Sequence, residues 1–184
     1  MKFLVESERG LLTTRSEGEA NRRKLEAAIE SQQDGFLEIC FDGIDALTIS
    51  FADEFVGRML TELQSAVREP MPILITGLNE DTAIELDVVL DRRHLVSAAL
   101  VDGDLKLLGA DRYLASTFTA AKQVENFTPG QLAGEIDTSV QNVNNRLKVL
   151  LMAGTLERTR VQVSGGGREY EYRIPASFTT AVPA

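Results

Sequence analysis

Between Thr138 and Gly154 the sequence TSVQNVNNRLKVLLMAG carries Gln141, Asn142, Asn145, Arg146 and Lys148 without one acidic residue. Amides at this density suggest a particular chemistry. The carboxamide of Asn or Gln can pair bidentately with adenine in the DNA major groove, and Arg or Lys neutralises phosphates. At about 100° per residue Val140, Val143, Leu147, Leu150 and Leu151 fall on one helical stripe. The amides and Lys148 then occupy the opposite face, with Arg146 on its flank. A merely solvated helix more often alternates Glu with Lys.

Such a helix needs neighbours to hold it. DRYLASTFTAAKQVENF predicts a helix of about four turns, with Tyr113, Leu114, Phe118 and Ala121 at helical spacing. TPGQLAGEI predicts a short one, with Thr128 as cap, Pro129 in the first turn and Gln131 completing the capping box. For the amide-bearing helix Thr138 is the expected cap, Gln141 its box partner and Gly154 the stop. Two capped helices joined by a tight turn make a helix-turn-helix. TLERTRVQVSGGGREYEYRIP then splits into two alternating strands about Gly165 to Gly167, a β-hairpin.

The stretch from about Phe127 to Pro175, above all SVQNVNNRLKVLLMAGTLERTR, resembles the winged-helix DNA-binding domains of bacterial transcriptional regulators. The resemblance implies that the third helix enters the major groove while the hairpin, or wing, touches a neighbouring groove or backbone. Residues and resemblance together give an expected DNA-contacting set of Ser139, Gln141, Asn142, Asn145, Arg146, Lys148, Arg158, Arg160 and Arg168. Double-stranded DNA is the expected partner and a homodimer the expected state.

The first half alternates strand and helix signals. KFLV and GLLTTR read as short strands, SEGEANRRKLEAAIES as a helix with Ser16 as cap and Glu19 three residues on, and FLEICF as a buried strand. From Ser50 onward Phe51, Phe55, Met59, Leu60, Leu63 and Val67 mark one helix face, stopped by Pro70 and Pro72. ILITG is a further strand and NEDTAIELDVVLDRR a helix capped by Asn79. ALV-DGD-LKLL is either a hairpin returning to this sheet or a short linker structure. The expected fold class is α/β, a mixed sheet with helices, over residues 1–105, followed by an α+β winged-helix domain over residues 106–184.

GLLTTRSEGEA, FLEICFDGIDALTISFADEFVGRML and PMPILITGLNEDTAIELDVVLDRR together resemble the STAS-like family of bacterial proteins over roughly residues 8 to 95. A more distant resemblance, to the STAS domains of anti-sigma factor antagonists, implies a helix-start serine phosphorylated by a partner kinase. On that loop only Ser50 matches. Asp53 and Glu54 in the first turn would repel a phosphate, and Asp53 completes an S-x-x-D capping pattern with Ser50. A helix cap is therefore the preferred reading of Ser50 over a phosphosite.

Charge divides the chain in the same way. Eight Lys/Arg oppose seven Asp/Glu from Ala110 onward, while residues 1–109 hold eleven basic against twenty-one acidic residues. Net charges of +1 and −10 give DNA binding little long-range steering. With a single cysteine, Cys40, and a single histidine, His94, disulfide frameworks and most His-based catalysis are excluded. Cys40 reads as a buried thiol in an apolar strand and His94 as a cation at a helix end. SGGGR precedes a strand instead of a helix, so it lacks the context of a phosphate-binding loop. No enzyme activity, metal or cofactor is expected. No apolar run approaches the ~18 residues of a membrane span, and the expectation is a cytoplasmic protein with no membrane association.

These readings make a DNA-binding transcriptional regulator whose first domain senses a signal, dimerises or docks a partner. The alternative is a partner-switching adaptor of a kinase-like ATPase that does not bind DNA.

Overall fold

A computed structural model describes residues 1–31, 35–65, 70–162 and 168–180, with Arg168 and Thr179 described through their backbones. It is a mixed α/β structure. Five strands form the main sheet in the order β1 (Lys2–Leu4), β3 (Leu37–Cys40), β5 (Ile73–Leu78), β6 (Ser97–Val101) and β7 (Asp104–Leu108). The first four run parallel and β7 returns antiparallel. The hairpin reading of ALV-DGD-LKLL is the one realised, with Asp102 and Gly103 at positive φ in its turn. An expected domain boundary at 105/106 falls inside β7. A two-residue parallel pair, β2 (Leu11–Leu12) with β4 (Ala46–Leu47), stands beside the main sheet.

Parallel neighbours stepping one way across a sheet, each joined by a right-handed crossover, put every crossover helix on the same face. That face carries α1 (Arg15–Ser31), α4 (Glu80–Arg92) and a composite helix. The composite consists of α2 (Ile49–Ala52), a π-helical turn (Asp53–Gly57) and α3 (Arg58–Ser65). Leu25, Phe51, Phe55, Leu60, Leu86 and Leu90 pack there against Ile39, Ile73, Ile75 and Ala99. Val67 lies outside the described residues.

Strand side chains alternate between faces, and the second face is also buried. Leu74, Ala98 and Leu100 form one apolar cluster with Phe118, Phe127, Leu132, Val143, Leu147, Leu150, Tyr172 and Phe178. These come from α5 (Arg112–Ala121), α6 (Pro129–Glu135), α7 (Val140–Met152), β9 (Arg168–Arg173), α8 (Ala176–Thr180) and the intervening loops. The C-terminal part thus completes its core on the back of the first part's sheet, making three layers. A backbone bond also joins them, the Ile73 N–H donating to the Gly154 carbonyl at 3.1 Å. Gly154 has φ +68°, and a Cβ there would collide with the Met71 carbonyl oxygen.

Several caps lie one or two residues from their expected places. Thr14 and Glu17, not Ser16 and Glu19, start α1. The Glu17 N–H donates to Thr14 Oγ1 at 3.2 Å, and the Thr14 N–H donates to the Glu17 carboxylate at 2.8 Å. Thr48, not Ser50, caps α2, its hydroxyl accepting the Phe51 N–H at 3.3 Å while donating to the Thr13 carbonyl at 2.9 Å. Ser139, not Thr138, caps α7 and accepts the Asn142 N–H at 3.2 Å. Neighbouring hydroxyls compete in each of these stretches, and at α2 and α7 the winner is the residue whose backbone is extended where the chain enters the helix. Asn79 and Thr128 cap α4 and α6 as read, with Gln131 closing the box on Thr128.

Candidate nucleic-acid interface

Helices α5, α6 and α7 are followed by the antiparallel pair β8 (Glu157–Gln162) and β9, to which Phe127 adds a bridge opposite Tyr172. The Phe127 and Tyr172 rings stack at 6.1 Å. This anchors the base of the hairpin beside the N-terminus of α6. The Gly165 to Gly167 turn lies outside the described residues.

On α7 the buried stripe is Val143, Leu147, Leu150 and Leu151. Val140, expected in that stripe, is the first residue of α7 and is 47% exposed. Gln141, Asn142, Asn144, Asn145 and Lys148 are exposed. Asn144 was missed by the sequence reading although it sits on the same arc. The exposed arc has two sides. Gln141, Asn144 and Lys148 form an open flank. Asn142, Asn145 and Arg146 line a groove of about 750 Å³ whose opposite wall includes Asp91, His94 and Asp111. The Gln141 side-chain amide donates to Asn145 Oδ1 at 3.3 Å, linking the flanks across one turn.

Arg146 differs from its neighbours. It is only half-exposed, donates to Thr117 Oγ1 at 3.1 Å and has its guanidinium carbon 5.4 Å from the centre of the Tyr113 ring. Its flank position on α7 turns it toward α5, where it locks the two helices together. Ser139 is engaged too, as the cap.

The register of the hairpin gives it two chemically different faces. Arg158 and Arg160 stand opposite Tyr172 and Tyr170, while Thr159 and Val161 stand opposite Glu171 and Glu169. Arg158 and Arg160 are exposed, and Arg158 lies 4.6 Å from the Tyr170 ring centroid, a cation–π contact. Tyr170 belongs to this basic face, which the sequence could show only once the strand pairing was known. Arg168 pairs through its backbone with Gln162, and its side chain lies outside the described set.

Ser50 is half-buried in the first turn of α2. The carboxylates after it are compensated. Asp53 accepts from Arg93 Nε at 2.7 Å and pairs with Arg15 at 3.4 Å. The buried Glu54 lies 3.2 Å from Arg58 and 3.8 Å from Arg22. The Arg93 hydrogen bond holds the Asp53 carboxyl below the usual carboxylate range. Gly57, at the end of the π-helical turn, makes room for this, since a Cβ there would stand 2.6 Å from Arg93 Nε. Their repulsion of a phosphate on Ser50 is therefore weaker than the sequence implies. Cys40 is a buried free thiol and His94 is exposed, at φ 54° just past the end of α4.

Among the described residues no helix is long and apolar enough to cross a membrane. No family model matches this sequence, and no curated protein matches it. Among solved structures, a "possible transcriptional regulator" from Methanosarcina mazei Go1 is similar at 18% identity and a TM-score of 0.35, over 39% of this chain. The chain covers 61% of that protein's length. A likeness of this size carries no argument about activity.

Proposed function

We propose that the protein is a DNA-binding transcriptional regulator in which α5 to β9 act as a winged helix and the STAS-like layer senses a signal, dimerises or docks a partner. The observation that carries this reading is the exposed arc of α7, where Gln141, Asn142, Asn144, Asn145 and Lys148 stand free of the core with no carboxylate on the helix. Four amides and an ammonium on one rigid element suit base-edge and phosphate recognition in a major groove. The basic face of the hairpin, with Arg158 braced by Tyr170, supports backbone contacts beside it.

The test is a fluorescence-anisotropy titration against a pool-selected duplex and an unrelated one at two salt concentrations. Replacing Asn142 and Asn145 together by Ala should abolish the difference between the duplexes. Arg158→Ala and Arg160→Ala should each weaken both about equally and reduce the salt slope by roughly one. Binding unchanged by all of these would refute the reading.

One observation favours the adaptor reading. Val149 and Met152, 48% and 40% exposed, interrupt the polar arc of α7 with apolar surface suited to a protein partner. Stable co-purification with a kinase-like ATPase, in a protein with no measurable DNA affinity, would select it.

A further inference from the structure

A helix lying in a major groove is flanked on both sides by rows of phosphates, because the groove is only about 12 Å wide. On its open flank α7 presents Gln141, Asn144 and Lys148. On the other it shares a groove with Asp91 at the end of α4 and Asp111 at the start of α5. Both carboxylate residues are exposed, and neither has an ion-pair partner within 4.0 Å among the described side chains, although His94 shares the wall and the exposed Arg92 and Arg112 adjoin them in sequence, Arg112 lying over the Tyr113 ring. Asp111 Oδ1 accepts the Tyr113 and Leu114 N–H groups at 2.9 and 2.8 Å, which fixes it on that wall as the cap of α5. The cation that could offset them from α7, Arg146, is held against Thr117 and Tyr113.

We infer that Asp91 and Asp111 are built-in negative determinants of DNA affinity, one carboxylate from the sheet layer's α4 and one from the cap of α5, which together oppose one phosphate row whenever α7 docks. This inference rests on the DNA-binding reading and adds to it how affinity is limited. The cause is Coulombic repulsion across solvent, so it is strongest at low salt and fades as the Debye length shortens below about 10 Å. It also links the two parts of the chain.

The experiment measures DNA affinity of the full chain with Asp91→Asn, Asp111→Asn and both, at low and high salt. Asn keeps the capping oxygen at position 111. Asp102→Asn, in the β6–β7 turn and not on the groove, makes the same charge change as a control. Affinity should rise roughly three- to tenfold for each wall residue at low salt, with less gain at high salt, and the control should gain far less. Equal gains for wall and control, or none for the wall while the wild type binds DNA, would overturn the wall alone. No DNA binding by the wild type or the double variant would overturn both the wall and the DNA-binding reading.

Discussion

The hydroxyl of Thr117 on α5 accepts from the Arg146 guanidinium on α7 at 3.1 Å and donates to the Tyr113 carbonyl at 2.8 Å. A residue that the sequence assigns to phosphate contact is thereby a tie between the first and third helices. Arg146→Ala should lower stability by about 1–2 kcal/mol, the scale of a lost hydrogen bond from a charged group, plus the packing of its stem. Arg146→Lys should recover little, because an ammonium cannot reproduce the planar fork. Urea unfolding measures both, and an unchanged midpoint would mean that the tie contributes nothing.

The caps of α2 and α7 separate hydroxyls that sequence alone treats alike. Thr48→Ala should cost about 0.5–2 kcal/mol, and more than Ser50→Ala, since Thr48 also donates to the Thr13 carbonyl. Ser139→Ala should likewise exceed Thr138→Ala. Thermal melts of the four variants rank them, and a larger loss at Ser50 than at Thr48 would contradict the cap geometry.

The Asp53 to Arg93 contact predicts a pH dependence. Its folded carboxyl titrates lower than the unfolded one, so the contribution is complete above the unfolded value of about 3.9 and is lost as pH falls through the folded value. The stability gap between the wild type and Asp53→Asn should be constant from pH 7 to about 5 and shrink below about 4. A gap that grows on acidification would reverse the assignment.

Three layers sharing a central sheet predict cooperative unfolding. A fragment ending at residue 105 would expose Leu74, Ala98 and Leu100 and cut β7 in two. It should bind a hydrophobic dye and lack a sharp thermal transition, whereas the full chain melts in one step. In the full chain Gly154→Ala should cost about 1–2 kcal/mol for the positive φ alone, and more for the clash with Met71. Two well-separated transitions in the wild type would show that the layers fold independently.

Much of this protein is local and was legible in its sequence. Period-2 and period-3.6 apolar patterns mark most of the strands and helices, and Asn79, Thr128, Pro129 and Gly154 mark helix ends, because each reports a backbone requirement satisfied within a few residues. The amide face of α7 was legible for the same reason, as its buried stripe defines the opposite arc. Tertiary structure alone decided what depends on distant chain segments. Leu74, Ala98 and Leu100 alternate with Ile73, Ile75 and Ala99, so both sheet faces read as apolar, yet nothing local says that the C-terminal helices cover the second one. For the same reason Arg146 became a tie, Tyr170 became the brace of Arg158, and Asp91 and Asp111 came to face the amides of α7. Each charge acquires its role from what packing places beside it, and that placement is set by burying the back of one sheet.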